Sequence, residues 1–142
     1  MSKNGPIIII DDDEDDADMY KSIIRDLGIT NKFISFQNTD EALSYLIETK
    51  DVVFSILCDI NIPGTSGLQF KRNIKNNPEL KKKMIPFMFF STAVNEKDVN
   101  EAFNEMTVQG FFRKPADYSE LKSMLAAIFN YWRLSCHPNS LK

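Results

Sequence analysis

Short apolar runs alternate along this chain with longer segments in which apolar residues recur every three or four positions. The runs predict buried strands, and the second spacing lays one apolar stripe along a helix. Ile7–Ile10 predicts the first strand. Tyr20, Ile23, Ile24 and Leu27 predict the helix after it, ended by Gly28. Residues 32–36 predict a second strand. A second helix starts near Asn38, where Asn38 and Glu41 form a capping pair, and carries Ala42, Leu43, Leu46 and Ile47. The third strand is predicted over 52–58 and the third helix over 68–76, with Pro78 closing it. The fourth strand covers 87–90, and its helix covers 96–106 with Val99, Ala102, Phe103 and Met106 on one face. The fifth unit is Gly110–Arg113 followed by Tyr118–Leu134, whose inward residues are Leu121, Leu125, Ile128, Phe129 and Trp132.

Five strand–helix units in a row, with strands apolar on both faces, predict an α/β fold: a doubly wound, five-stranded parallel sheet with helices on both sides. With no repeat and no low-complexity linker, the 142 residues predict a single domain, core about 6–134, with a loose polar tail over 135–142. No apolar stretch approaches a membrane span, and the first six residues lack the apolar region of a signal peptide, so the cytoplasm is the expected compartment and no membrane insertion is expected. Cys58 reads as a small buried hydrophobe and Cys136 as a tail residue, without a disulfide. His137, the one histidine, lies in that tail, and no Cys/His spacing suggests zinc.

Charge changes the picture. The net charge is −3, yet the seven carboxylates between Asp11 and Asp18 contribute −7, leaving +4 for the rest. Carboxylates favour the positive end of a helix dipole, which accounts for Glu14, Asp15, Asp16 and Asp18. It does not account for Asp11 and Asp12, which immediately follow a buried strand. Lys81, Lys82 and Lys83 read as a solvated loop rather than a nucleic-acid patch.

Three strands end abruptly in charge: the first at Asp11-Asp12, the third at Asp59, the fifth at Lys114-Pro115. Ligand sites of open parallel sheets lie at the carboxyl ends of the strands. If these strands lie side by side, three carboxylates and one ammonium converge. Crowded carboxylates raise one another's pKa unless a cation is bound, and Mg2+ suits oxygen ligands. Asp59, Asp11 and Asp12 are the candidate ligands, with the Asn61 carbonyl. Asp59 is also the candidate nucleophile, with Lys114 and the Thr92 hydroxyl neutralising phosphoryl oxygens. A cis Lys114–Pro115 bond would turn the lysine into the pocket. Two calcium-loop decoys fail: the loop from Asp11 has Asp16 in place of glycine and Ser22 in place of the last glutamate, and the loop from Asp59 ends at Phe70.

Taken in order, Asp11-Asp12, Asp59-Ile60-Asn61-Ile62-Pro63 with Gly67, Thr92-Ala93 and Phe111 three residues before Lys114-Pro115 resemble a response-regulator receiver domain of two-component signalling, over about residues 6–134. The resemblance implies a flavodoxin-like (βα)5 fold of strand order 2-1-3-4-5, in a stand-alone, chemotaxis-regulator-like receiver. It implies that Asp59 accepts a phosphoryl group from a sensor histidine kinase or a His-containing phosphotransfer protein. Asp12 and Asp59 would hold Mg2+ by their side chains, Asn61 by its carbonyl and Asp11 partly through water, while Thr92 and Lys114 contact the phosphoryl oxygens. Such a receiver is mainly a signalling switch, catalysing only its own phosphorylation and slow dephosphorylation. Thr92 and Phe111 would be the switch pair, with phenylalanine where many relatives carry tyrosine. Phe103, Phe111 and Tyr118 are candidates for a contact face toward an unknown target protein, and Asn61 and Val94 for tuning dephosphorylation. Output would come by protein contact or relay, without direct nucleic-acid binding, from a monomer or a weak phosphorylation-linked dimer. The rivals are a non-phosphorylated receiver-like binding module and a Mg2+-dependent phosphohydrolase; the latter usually has an aspartate where Asn61 stands.

Overall fold

The computed structural model describes residues 4–136, so of the tail only residues 135 and 136 are described and His137 lies outside. The elements run β1 (Ile7–Ile10), α1 (Glu14–Asp26), β2 (Phe33–Phe36), α2 (Thr39–Glu48), β3 (Ser55–Cys58), α3 (Gly67–Asn76), α4 (Pro78–Lys82), β4 (Phe87–Ser91), α5 (Glu96–Asn104), β5 (Gly110–Arg113) and α6 (Tyr118–Leu134). The five strands are parallel and lie in the order β2-β1-β3-β4-β5. This is the flavodoxin-like doubly wound sheet.

Two cores flank the sheet, divided by the pleat. Ile7, Ile9, Leu57, Met88 and Phe90 face α1 and α6, where they meet Tyr20, Ile23, Leu125 and Phe129. Ile8, Ile10, Ile56, Cys58 and Phe89 face the other way, onto Leu46, Phe70, Leu80 and Ala102. Each strand of the central trio β1, β3 and β4 is buried along its whole length. Each such Ile or Phe contributes roughly 1.5–3 kcal/mol by leaving water. β2 is an edge strand and only half-buried.

The helix starts follow from their caps. Asp13, Asn38, Ser66, Asn95 and Asp117 each accept a backbone N–H of the first turn they precede. Gly28 follows α1 at φ 72°, a left-handed position suited to glycine.

Pro78 does more than close α3. Asn77 caps a further five-residue helix, with Pro78 at its start, where a missing N–H costs nothing. There are thus six helices among the described residues, and Lys81 and Lys82 belong to α4 rather than to a loop. Val52, Val53 and Phe54 precede β3 rather than opening it. Cys58 is buried, Cys136 is exposed, and both are free. No helix of the described residues is long and apolar enough to cross a membrane.

Candidate functional site

Register places the charged strand ends. Ile10 pairs with Cys58 across β1 and β3, so Asp11 and Asp59 emerge side by side. Backbone bonds continue the ladder one step: the Asp59 N–H donates to Ile10 O at 2.9 Å. The pleat then sends both carboxylates toward α1, the side faced by Ile9 and Leu57. β5 is not a neighbour of β3; β4 lies between them. Ser91 pairs with Arg113, so Lys114 emerges level with Thr92. A four-carbon side chain covers that gap.

Lys114 Nζ lies 2.7 Å from Asp11 Oδ2, 2.8 Å from Asp16 Oδ2 and 4.0 Å from Asp59 Oδ2. No cis peptide occurs among the described residues, so the Lys114–Pro115 bond is trans and the lysine reaches the pocket without the turn a cis bond would give. Tyr20 donates its hydroxyl to Asp11 Oδ2 at 2.9 Å, and the Asp13 N–H donates to Asp11 Oδ1 at 3.0 Å. The ammonium also lies 5.4 Å from the Phe90 ring centroid and 5.8 Å from that of Tyr20.

Sequence reasoning missed two of these partners. Asp16 is more than a dipole-favoured surface acid, and Tyr20 is more than core. The signal was present: stepping back one helical turn along the stripe of Tyr20, Ile23, Ile24 and Leu27 lands on Asp16.

Asp11 is buried, Asp59 is half-buried and Asp12 is exposed, and the three offer carboxylate oxygens within 4.8 Å of one another. Burial pushes the Asp59 carboxyl up; the Asn61 amide and Lys114 oppose that rise and Asp11 adds to it. Burial pulls the Lys114 ammonium down, but its hydrogen bonds to Asp11 and Asp16 outweigh it and leave the pKa above the ordinary lysine value. Burial, then Asp11, raises the Tyr20 hydroxyl far out of its ordinary range, so it stays a donor.

The loop after β3 is fixed from both ends. The Asn61 N–H donates to Asp59 Oδ1 at 3.2 Å, and the Gly67 N–H to Ile60 O at 3.0 Å. A Cβ on Gly67 would stand 2.3 Å from the Asp59 carbonyl oxygen, so α3 can start against this loop only with glycine there.

Thr92 sits just past β4, exposed, and its hydroxyl makes no hydrogen bond among the described residues. Its neighbour Ser91 is buried, its hydroxyl turned to the Ala93 backbone and not to the carboxylates. Phe111 lies on the sheet face away from α1, half-buried, its ring 6.0 Å from that of Phe89. Phe103 is exposed on α5. Tyr118 turns the other way and donates its hydroxyl to Asp26 of α1 at 2.7 Å.

Residues 7–126 match the family profile of the response regulator receiver domain. The chemotaxis protein CheY-3 of Vibrio cholerae serotype O1 is 31% identical over 130 residues, which cover 91% of this chain and 95% of that protein. Response regulator Rcp1 of Synechocystis sp. is 26% identical over 131 residues, covering 89% and 87%. Among solved structures, the phosphorylated cyanobacterial phytochrome response regulator RcpA gives a TM-score of 0.83 at 23% identity, covering 94% of this chain and 98% of its own. The Mn2+-bound form of Rcp1 gives 0.81 at 24% identity with the same coverage. The two structures share the fold. With the profile spanning most of the sequence, the chain belongs to the response regulator receiver domain family.

Proposed function

We propose that this receiver is a phosphoacceptor: Asp59 takes a phosphoryl group from a phosphohistidine on a histidine kinase or phosphotransfer protein, and the change is read by another protein. The observation that carries this reading is the convergence of Asp11, Asp12 and Asp59 with Lys114 Nζ 4.0 Å from Asp59. A carboxylate oxygen of Asp59 attacks phosphorus while the bond to the donor imidazole nitrogen breaks and its electron pair leaves with that nitrogen.

The donor set fits a hard divalent cation. It is all oxygen, with no histidine, and the neighbouring Cys58 is a buried thiol held protonated by burial and then by Asp59. Asp12 and Asp59 would hold Mg2+ through carboxylates, Asn61 through its carbonyl and Asp11 partly through water. When bound, the ion supplies positive charge to a transferring phosphoryl oxygen.

Lys114 is the chain's own cation beside Asp59. In the arrangement described here it is held back by Asp11 and Asp16, at shorter distances than to Asp59. A phosphoryl group on Asp59 adds about −1.5 to −2 charge. That charge competes with Asp16 for the ammonium and offers Thr92 the acceptor its hydroxyl lacks. Thr92 then moves inward, and Phe111, half-buried beside Phe89, takes the space it leaves. The face around α5 and β5, where Phe103 is exposed, changes shape. Two neighbours of the same fold support the reading, one solved phosphorylated and one with Mn2+. We place this activity in a single cytoplasmic domain.

Intact mass after incubation with acetyl phosphate tests it. Wild type gains one phosphoryl group only with Mg2+ present, and Asp59→Asn gains none. Labelling of the variant at the wild-type level removes Asp59 from the role.

A further inference from the structure

A second site lies at the opposite end of the sheet. The amino ends of β3, β4 and β5, the α3–α4 junction and the turn before β5 enclose a cleft of about 470 Å³. That is the size range of small-molecule sites. Its floor is apolar, formed by Ile56, Ile74, Leu80 and Phe87, and Trp132 closes one side. Three lysines, Lys71, Lys75 and Lys81, line it, and no carboxylate does.

Lys71 is the informative one. It is half-buried, and its Nζ sits 5.1 Å from the Phe87 ring centroid. Among the described residues no carboxylate lies within 4.0 Å of it, and it makes no hydrogen bond. A part-buried ammonium ordinarily has an anionic partner. Here burial, then the like charge of Lys75 one turn on, pushes its pKa down. Lys75 itself donates to the carbonyl oxygen of Glu105. The rim carries the two non-glycine residues that, among those described, adopt left-handed backbone, Met84 at φ 48° and Thr107 at φ 52°. For a β-branched residue such as Thr107 that conformation is unusual, and the fold holds it at the mouth of this cleft.

We propose that this cleft binds an amphipathic organic anion, a carboxylate, phosphate or sulfonate on an aromatic or short aliphatic body, with the head on Lys71 and Lys81 and the body over Phe87 toward Trp132. The excess positive charge outside the Asp11–Asp18 run is thus concentrated in part at this second site.

The probe is 8-anilinonaphthalene-1-sulfonate, an aromatic anion whose fluorescence rises on entering an apolar site. Trp132, the chain's one tryptophan, lines the cleft and reports the dye's position by energy transfer. The folded protein binds the dye with transfer from Trp132. Lys71→Met, which keeps the apolar stem, weakens binding about ten-fold or more, as expected for loss of a charge-assisted contact. Lys71→Arg restores it. Circular dichroism and Asp59 labelling by acetyl phosphate stay at wild-type levels in both variants. Phenyl phosphate displaces the dye if the natural ligand class is a free anion, and phosphatidylglycerol vesicles do so if it is a lipid headgroup. Equal displacement by neutral benzyl alcohol, dye binding unchanged in Lys71→Met, or no binding to the folded wild type would each overturn the proposal.

Discussion

Replacing Lys114 by methionine isolates the electrostatics of the acidic pocket, because the stem keeps its contacts with Tyr20 and Phe90 while the charge disappears. The side chain is 7% exposed and its nearest partner, Asp11, 1% exposed. Removing one member of a buried ion pair costs about 3–5 kcal/mol, most of it the penalty for the charge left behind. Asp11 keeps two donors, the Tyr20 hydroxyl and the Asp13 amide, and Asp16 is open enough for water to replace the ammonium. The lower end of the range, about 3 kcal/mol, therefore applies. With a urea slope of about 2 kcal/mol per molar, the unfolding midpoint should fall by about 1.5 M. The assay is urea titration of both proteins at pH 7.5 with chelator present. Because Lys114 has a raised folded pKa, its contribution is complete below the ordinary lysine value and is lost as pH rises through the folded one. The gap between the proteins should close in strongly alkaline buffer. A midpoint shift below about 0.3 M at pH 7.5 would refute the reasoning, since it would mean that water already solvates the cluster.

Three other outcomes are expected. Asp59→Asn should be more stable than wild type at pH 7.5 without divalent cations: a carboxyl whose folded pKa is raised favours the fold at low pH and is penalised above that value, and asparagine lifts the penalty. The gain should vanish as pH drops into the ordinary carboxylate range, and a lower melting temperature for the variant at pH 7.5 would contradict it. Gly67→Ala should cost about 1–3 kcal/mol, because its Cβ meets backbone rather than a movable side chain, and should slow Asp59 labelling in a mass time course. Tyr20→Phe removes a hydrogen bond to a buried carboxylate and should cost about 1.5–3 kcal/mol by urea titration; an unchanged midpoint would show that bond to be replaced by water.

The sheet was legible because its central strands are apolar on both faces, and the cap read at Asn38 starts α2 as expected, while the caps Asp13, Ser66, Asn95 and Asp117 came only with the structure. The meeting of Asp11 with Asp59 was legible for a related reason: both follow largely apolar runs, and parallel register sets such ends level. Asp16 and Tyr20 were not, because a helix-start acid and a core tyrosine each have an ordinary explanation that sequence cannot exclude. Pro78 misled because the same ring that stops one helix suits the first position of the next. The Lys81–Lys82–Lys83 run looked uniformly solvated, yet consecutive positions of α4 put Lys81 on the basic cleft and Lys82 beside Glu79. Thr92 stands at the strand end its motif position implied, but sequence could not say that its hydroxyl would be unengaged.

The bridge between Lys114 and Asp11 joins residues 103 positions apart. A chain made from its amino end therefore carries its acid-rich opening through four strand–helix units before the neutralising lysine exists. During that interval the carboxylates of the first unit lack the ammonium that pairs with them in the finished fold. Only when the last strand takes its place at the sheet edge does the lysine arrive. Under the phosphoacceptor reading, completion of the fold and assembly of the charged pocket are thus one event, and a chain that lost β5 and Lys114 would carry the carboxylates without their ammonium.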